Sequence, residues 1–504
     1  MNNYIIRQKD IELLMQSNKE LYYKLELLNE NMKVLDSIEG NLISDNISIS
    51  ADSDIRRVYN CELFVEDSTF DISYDSKIWY KRRIRPYIGI LHQRSKEIQW
   101  YLLGTFLFTE AGYSYDDTNK TLSLTCNDMM CLLNGSMGGN LDSYKRTIHS
   151  GTSARSSIIS LLEEVCITKY FIEFNLNGSI INDFQIPHDM TYNAGATAYQ
   201  IIKDIVDLYS GTEIYFDVYG TFIINKIPTS KEEQAVLNDE ILQPILISEQ
   251  LSINFSEVYN DIEIFGRTQE PDFYSKDITY SNGVYYVSLV AHKLDETTNQ
   301  YVEISYDSLD DFDEFSFKIP SVNITSNTYI NINNLGDILV VNENGNPIAN
   351  NTLTKNTDYV FRYRKSTEDF LFLGQYQVYS RMYISNDANN TDANAVIDTD
   401  NEFAVEKIGH KLKVLSDDSV SNIYSDELCR QRCKYELYNA TNKKNDLNLT
   451  TISIPWLDVN ELIEFTSNST GKKDKYIINS ISTNYSEMTM NINANKFYAE
   501  YILN

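Results

Sequence analysis

The residues best suited to catalysis or metal binding are scattered along this chain. Its five histidines lie in five separate segments, and no two of them have the HxH or HExxH spacing that places two imidazoles on one metal ion. They are His92, His149, His188, His292 and His410. The GxSxG, Walker and GxGxxG signatures are also absent from the sequence. The sequence therefore gives little support to a metalloenzyme or a nucleotide-binding enzyme.

The acidic residues and the thiols form no recognisable site either. Neighbouring carboxylates serve in glycoside hydrolysis, but a chain with 72 Asp and Glu contains such neighbours without any function. Examples are Glu163 with Glu164, Asp310 with Asp311, and Glu257 with Asp261. Cys429 and Cys433 are four residues apart on a predicted helix with no His at ligand spacing, so we interpret them as small buried residues.

An acidic run, DSLDDFDEF at 307–315, resembles a Ca²⁺ loop at first sight. It lacks the Gly turn and the regular ligand spacing of such a loop, so we interpret it as a solvated acidic loop. Altogether we expect no catalytic residue, no cofactor and no metal. A large, acidic, β-rich chain of this kind is more often a structural protein than an enzyme.

Composition and charge narrow the class of protein further. The chain has 504 residues, too many for a single core, so about two to four domains are expected. Its net charge of −29 disfavours a broad nucleic-acid-binding face and binding to anionic membranes, although an acidic wall suits DNA that only passes through. The six cysteines are sparse, and the chain has neither a signal-peptide core nor a run of about 18 apolar residues. These features predict a protein made in a reducing cytoplasm and not inserted in a membrane.

Hydrophobic periodicity predicts the elements and the domain boundaries. Apolar residues at spacings of three and four over 8–37 predict an N-terminal helix at 1–40, either one strand of a coiled coil or an amphipathic helix on its own domain. Period-two patterns such as RIRPYIGIL at 83–91 predict a β domain at 41–145. The remaining regions are an α+β domain at 146–235, an inserted all-β domain at 266–385, and a second β domain at 236–265 and 386–504.

The helix ends carry capping signals. Ser153, Thr197 and Ser425 are expected to be the N-caps of helices at 153–165, 196–209 and 425–440. The stretch 211–228 predicts a hairpin that turns near Asp217–Gly220. These signals place the first two helices and the hairpin in the α+β domain, and the third helix in the second β domain.

The bulkiest strand pattern lies at 98–126. Residues 98–110 (IQWYLLGTFLFTE) predict one long strand, DDTNK at 116–120 a turn, and TLSLTC at 121–126 the antiparallel return. In one regular strand Trp100, Phe106 and Phe108 share a face, which we expect in the core, and Tyr101 and Leu103 share the other with Thr105 and Thr109. Gly104 is expected to allow a bend, and Asn127 or Asp128 to cap a following helix. A strand with two usable faces and an open edge is typical of a protein that neighbours must cover.

Four stretches of the sequence match a known pattern. They are SADSDIRRVYNCELFV at 50–65, IQWYLLGTFLFTEAGYSYDDTNKTLSLTCNDMMCLLN at 98–134, GATAYQIIKDIVDLYSGTEIYFDVYGTFIINKIP at 195–228, and YSDELCRQRCKYELYNATNKKNDLNLTTISIPWLDVNELIEF at 424–465. Together they resemble the tail hub proteins of tailed bacteriophages, also called baseplate hub or tail-associated structural proteins. The resemblance spans most of 1–265 and 400–504 and is weakest over 266–385.

The resemblance implies a fold and a function. The two β domains would be tube-like β-barrels, so the fold class would be a β-rich α+β multidomain protein with an inserted all-β domain. The chain would be a structural protein of the virion tail, assembled in the host cytoplasm as a homotrimer. Three subunits would present six barrels and adapt the six-fold tail tube to the three-fold tip, forming the channel for DNA ejection. Its partners would be tail tube, tape measure and tail-tip or baseplate proteins, with DNA only as cargo.

Two groups of residues are candidates for interaction. Five arginines cluster in this acidic chain, and they are expected either to pair with carboxylates of a neighbouring subunit or to form surface ion pairs within the chain. They are Arg56, Arg57, Arg82, Arg83 and Arg85. The alternative function is a receptor- or glycan-binding tail-tip protein that uses the inserted domain, whose candidate aromatic residues are Tyr280, Tyr285, Tyr286 and Tyr306. Stacked aromatic rings on one exposed face would favour that alternative, whereas buried rings would not.

Overall fold

The structure, a computed structural model, describes most of the chain. The described residues are 5–39, 42–64, 72–74, 76–115, 120–141, 145–176, 179–230, 232–269, 271, 273–275, 277–295, 300–306, 308–417, 419–442 and 445–498. These residues form 34 strands and six α-helices, so the protein is β-rich as predicted.

The first part of the chain holds one short helix and eight strands. They are α1 Gln8–Met15, β1 Leu21–Leu28, β2 Val34–Glu39, β3 Leu42–Ser50, β4 Arg57–Phe64, β5 Arg83–Leu91, β6 Ile98–Leu102, β7 Phe106–Tyr115 and β8 Lys120–Asp128. A 3₁₀ turn at Met129–Leu132 follows β8, and the Asp128 carboxylate caps it by accepting a hydrogen bond from the Met130 N–H. Asp128 is therefore the cap that the sequence predicted, on a helix of one turn.

The α+β region follows. Its elements are β9 Arg146–Ile148, α2 Ala154–Glu164, β10 Tyr170–Ile172, β11 Phe174–Leu176, β12 Ser179–Ile181, β13 Met190–Tyr192, α3 Ala198–Val206, β14 Thr212–Phe216 and β15 Phe222–Lys226. The hydroxyls of Ser153 and Thr197 accept from Ser156 N–H and Gln200 N–H, so both predicted caps are confirmed. The predicted hairpin is β14–β15, and the Asp217 carboxylate accepts the N–H groups of Tyr219 and Thr221 in its turn.

The rest of the chain is again mostly β. Its elements are α4 Asp239–Leu242, β16 Leu246–Ile253, β17 Asp261–Thr268, β18 Phe273–Ser275, β19 Ile278–Ser281, β20 Val284–Val287, β21 Val290–Asp295, β22 Gln300–Ser305, β23 Glu314–Lys318, β24 Tyr329–Ile332, β25 Ile338–Val341, β26 Asp358–Arg364, β27 Asp369–Gln375, β28 Gln377–Ser385, β29 Ala395–Ile397, α5 Val405–Ile408, β30 Leu412–Leu415, α6 Asp426–Asn442, β31 Asn445–Ile452, β32 Leu462–Thr466, β33 Lys473–Asn484 and β34 Thr489–Lys496. The Ser425 hydroxyl accepts from Leu428 N–H at 3.3 Å, which confirms the predicted cap of α6.

The largest sheet joins the first and the last parts of the chain. Its strand order is β16-β31-β34-β33-β3-β4-β8-β7-β5-β1-β2, with β32 beside β33 and β6 beside β5. The two halves meet where Ile47–Ser50 of β3 pairs with Ser480–Thr483 of β33. Buried side chains from both halves form one apolar core.

The two predicted barrels are not closed. Among the described residues every sheet has two ends, and the ends of the large sheet are β2 and β16. The strand β3, which would have to pair with β2 to close the first half, pairs with β33 of the second half instead. The two halves are therefore joined to each other by this pairing, and neither half closes into a barrel by itself.

Two further layers pack around this sheet. A four-stranded sheet, in the order β29-β28-β17-β30, is covered on one face by α6 and shares its core with the α+β region. An eight-stranded sheet formed by β18–β20 and β23–β27 encloses a separate core. The strand β28 lies inside the predicted insert 266–385, yet it pairs with β17 and supports α6.

The predicted N-terminal helix is largely wrong. The helix ends at Met15, and the chain continues as the antiparallel hairpin β1–β2. Leu25 and Leu27, two residues apart, both point into the core, and Leu28 is also buried. The spacing of these leucines is therefore compatible with a strand as well as with a helix. Pairing of β1 with β5 along its whole length decides in favour of the strand.

The predicted strand at 98–110 is divided in two. Between β6 and β7 the chain bends at Leu103–Thr105, and a side chain at Gly104 would lie 2.5 Å from the Phe106 ring. The bend shifts the alternation of buried and exposed side chains along the chain. Tyr101 is therefore buried and Trp100 only half-buried, whereas the sequence predicted Trp100 in the core. The antiparallel pairing of β7 with β8 is confirmed, and most of the predicted turn at 116–120 lies outside the described residues.

Candidate functional site

The geometry around the clustered arginines is a buried junction rather than an open site. Arg57, at the start of β4, is almost fully buried, and its Nη2 contacts the Asp458 carboxylate. Its Nη1 donates to the Phe216 carbonyl at 2.7 Å, and its backbone N–H donates to Asp128 Oδ2 at 2.9 Å. Arg57 therefore ties together both halves of the large sheet and the α+β region.

Arg56 extends the same junction. Its Nη2 donates to Glu213 Oε2 at 2.7 Å, and its guanidinium lies 3.9 Å from the centre of the Tyr215 ring. Glu213 also accepts from Asn460 Nδ2 at 2.6 Å. Because the charges are paired and hydrogen-bonded, the arrangement can hold domains together, and breaking it would leave a charge buried.

Carboxylates at the edge of the junction have altered acidity. Burial, with the nearby Asp458 charge, raises the pKa of Glu461 to about 8. Burial likewise raises the pKa of Asp128, although two backbone N–H groups oppose the shift. These shifts follow from exclusion of water between packed domains.

The other three predicted arginines have different surroundings. Arg83 is buried and donates to the Lys81 carbonyl at 3.1 Å. Arg85 donates to Thr105 Oγ1 at 3.0 Å and to the Tyr219 carbonyl at 2.9 Å. Arg82 is half-buried in the loop before β5. The structure thus divides the predicted cluster, and a role in subunit contact stays a prediction that concerns Arg82 and Arg85 most directly.

The ends of the large sheet form a second candidate site. Within the part of the chain that the structure describes, β2 pairs only with β1 and β16 only with β31, so one edge of each has no partner strand there. Val34 and Leu35 on β2 are more than 40% exposed. An exposed strand edge with apolar side chains is a surface that another chain can extend.

The rim at β16 is the more apolar of the two ends. Leu251 pairs with the fully buried Leu447 and therefore points to the core side of the sheet, yet it is 40% exposed. Ile247, near the start of β16, and Phe255, just after its end, are also exposed. We call residues 247–257 the β16 rim. At this rim, the face of the sheet that packs on the core elsewhere is not covered by other described residues.

The aromatic residues of the insert are mainly structural. Tyr285 is buried and its ring centre lies 4.4 Å from that of Tyr280. Tyr306 packs against Phe315, and only Tyr286 of the four candidates is exposed. They do not form the stacked, exposed face that would favour glycan binding.

The described residues contain no group of three or more His, Cys, Asp or Glu placed to hold a metal ion. Cys429 and Cys433 are buried on α6, as predicted. Within the described ranges, no helix combines the length and the apolar character needed to span a membrane.

Comparison with known proteins gives one family match and several similar structures. A family described as a domain of unknown function (DUF5048) matches residues 400–501. No curated protein matches the chain.

The similar solved structures include phage and prophage tail proteins. The tail protein from Neisseria meningitidis MC58 is 7% identical, with 95% of this chain and 98% of that chain covered and a TM-score of 0.49. The 43 kDa tail protein of prophage MuSo2 from Shewanella oneidensis is 10% identical, with coverages of 94% and 98% and a TM-score of 0.47. A prophage tail protein from Listeria monocytogenes EGD-e is 8% identical, with coverages of 94% and 94% and a TM-score of 0.43. Since these TM-scores lie below 0.5, the likeness does not by itself establish a shared function.

Proposed function

We propose that this chain is a structural subunit of a phage tail, a hub that closes into a ring of identical copies. The observation that carries the proposal is the large open sheet, whose two terminal strands expose both an edge and apolar side chains. The sequence resemblance of residues 50–65, 98–134, 195–228 and 424–465 to tail hub proteins supports the same function.

The contact in such a ring would be head-to-tail. The β2 end of one copy and the β16 end of the next are different surfaces, so the contact is heterologous, and a heterologous contact closes into a ring when its rotation allows. The resemblance to tail hubs sets the expected number at three. Three copies would then present six β halves below a six-fold tube.

The channel would carry DNA without binding it. The chain has a net charge of −29, and a wall of like charge repels the phosphate backbone. The partners in this proposal are tail tube, tape measure and tail-tip or baseplate proteins.

The first test is the mass of the purified protein. Light scattering after gel filtration at micromolar concentration should give three times the mass of one chain, and negative-stain images should show a central hole. Leu251→Lys should weaken the assembly because it places a charge on the exposed rim. Ile324→Lys, at an even more exposed apolar residue of the insert, should leave the mass unchanged. A wild-type protein that stays monomeric would contradict the proposal.

A further inference from the structure

We propose that the Glu343 carboxyl group is a proton-dependent latch, which holds the inserted domain against the start of α6 when it is protonated and weakens this contact when it is ionised. The latch acts within a single chain, so it goes beyond the proposed ring and does not depend on it. The inserted domain is taken here as residues 270–376, whose eight-stranded sheet encloses a core of its own.

Both connections of the inserted domain are held at one place, the start of α6. On the entry side, the Arg267 N–H donates to the Ile423 carbonyl at 2.8 Å, just before the helix. On the exit side, the Gln375 N–H donates to Asp426 Oδ2 at 3.0 Å, in the first turn of the helix. Asp426 Oδ1 accepts from the Tyr379 N–H of β28 at 3.1 Å. A change at the start of α6 therefore acts on the seat of the whole inserted domain.

Asp426 is the permanent part of this attachment. A Cβ atom at Gly374 would overlap the Asp426 carboxylate, and Gly374 has a φ of 101°, so glycine is what allows the exit connection to come this close. Burial raises the pKa of Asp426 to about 6, which leaves the group ionised at neutral pH. Its charge lies in the first turn of α6, where the helix dipole favours a carboxylate.

Glu343 makes the contact that comes from the inserted domain itself. It lies in the turn after β25, where the Asn342 side chain accepts the N–H groups of Asn344 and Asn346 and fixes the turn. Glu343 Oε1 accepts a hydrogen bond from the hydroxyl of Ser425, which is the N-cap of α6. A fixed turn thus places this carboxyl group directly on the cap of the helix.

The charges around Glu343 do not balance an ionised carboxylate. The positive charge that acts on it is that of Arg362 on β26, and this guanidinium is already held by Glu314 of β23 through a 3.0 Å hydrogen bond. Glu427 of α6 adds a negative charge. Burial, together with the charge of Glu427, raises the pKa of Glu343 to about 7. Protonation therefore removes a charge that is poorly compensated at this contact.

Two tyrosines complete the surroundings of Glu343. They are Tyr209 of the α+β region and Tyr424, which directly precedes the cap of α6. Burial, with the charge of Glu343, raises the pKa of Tyr209 to about 12 and also raises the pKa of Tyr424. Both tyrosines are therefore uncharged near neutral pH and leave the charge of Glu343 as it is.

A cleft beside Glu343 separates the inserted domain from the four-stranded sheet. Its volume is about 370 Å³, and its lining includes Glu343, Arg381 and Arg430. The Arg381 guanidinium is engaged by both carboxylate oxygens of Asp261, at 2.9 Å and 2.6 Å. The two units are thus not packed against each other here, and water in the cleft can exchange protons with the latch.

The direction of the effect follows from the raised pKa. A glutamate that is released into water has the ordinary pKa of 4.5, so the docked state binds more protons than the released state between about 4.5 and 7. Docking is therefore strongest below this range. It weakens as the pH rises, by at most about tenfold per pH unit, until Glu343 is ionised in both states.

Hydrogen exchange tests the latch in the full-length protein. The Gln375 and Tyr379 amides, which donate to Asp426, report opening of the contact. Glu343→Gln keeps an acceptor for Ser425 but does not titrate, so the ratio of wild-type to variant exchange rates should rise at least about tenfold from pH 5 to pH 7.5. Because each ratio compares the same amide at the same pH, the intrinsic pH dependence of exchange cancels.

Two further variants complete this measurement. Glu368→Gln, at an exposed glutamate of the same domain, should give a ratio that does not change with pH. Glu343→Ala should lose the pH dependence as Glu343→Gln does, but it should exchange faster at pH 5 because the Ser425 hydroxyl loses its acceptor. A wild-type to Glu343→Gln ratio that stays constant between pH 5 and pH 7.5 would overturn the inference.

Amides inside the inserted domain distinguish release from unfolding. Strand β26 pairs with β23 and β27 within this domain, so its amides stay protected when only the contact with α6 opens. Their exchange ratio should therefore remain constant with pH. A rise in β26 equal to that at Gln375 would mean that Glu343 controls the folding of the domain rather than its docking, and the proposed latch would be wrong.

Discussion

Among single residues, Asp458 is expected to matter most for stability. It balances the buried guanidinium of Arg57, so Asp458→Asn leaves a charge without its partner in a site that excludes water. We expect a loss of about 3–5 kcal/mol, measured from the denaturant midpoint of unfolding.

Two variants serve as controls for this prediction. Glu464→Gln removes an exposed pair with Lys473 and should cost less than about 1 kcal/mol. Arg57→Met combined with Asp458→Leu removes both charges and should recover part of the loss. An effect of Asp458→Asn as small as that of Glu464→Gln would show that the junction does not hold the domains together.

At the scale of elements, the strand β3 carries a buried carboxylate that links the two halves of the large sheet. Asp45 is 5% exposed and accepts hydrogen bonds from the backbone of Tyr485 and Ser486 in the turn between β33 and β34. Burial raises the pKa of Asp45 to about 7, whereas an unfolded chain has the ordinary value near 3.8. The folded protein therefore binds more protons than the unfolded chain between these two values.

The contribution of Asp45 to the free energy of unfolding should accordingly fall as the pH rises from about 4 to about 7. One proton contributes at most about 1.4 kcal/mol per pH unit. Asp45→Asn keeps an acceptor without the charge and should make this decline shallower. Asp52→Asn, at an exposed residue in the loop after β3, should leave the slope as in the wild type. Urea midpoints at several pH values measure the slope, and equal slopes for all three proteins would contradict the assignment to Asp45.

The elements were predictable from the sequence where one local signal dominated. The cap residues Ser153, Thr197 and Ser425 and the Asp217 turn were found because a short polar side chain satisfies nearby N–H groups without help from distant residues. The hairpin β1–β2 was missed because its leucines fit a helix equally well, and only pairing with β5 decides between the two.

Contacts between distant residues were not predictable in this way. Arg57 and Asp458 are 401 positions apart, and no local pattern indicates that they meet. The predicted barrels failed for the same reason, since the pairing of β3 with β33 depends on residues at both ends of the chain.

For the whole molecule, the inserted domain is expected to be removable at a boundary narrower than 266–385. The end of β17 and the start of β28 lie next to each other in one sheet. Thr268 pairs with Gln377, and the Thr268 Oγ1 lies 2.8 Å from Gln377 Oε1. The insert encloses its own core, which supports independent folding. Replacing residues 270–376 by a two-residue Asn-Gly turn should therefore leave a folded remainder.

The remainder should be less stable than the full chain, because strands β26 and β27 contribute Val360, Leu371 and Leu373 to the core under α6. It should nevertheless unfold cooperatively and keep its assembly, since both β2 and the β16 rim are retained. Removal of 266–385 should instead abolish cooperative unfolding, because it deletes β28, whose Ser380 carbonyl accepts from Cys433 Sγ of α6 at 3.3 Å. Circular dichroism on heating, together with light scattering, distinguishes the two deletions. Equal loss of structure in both would mean that the insert and the four-stranded sheet form a single folding unit.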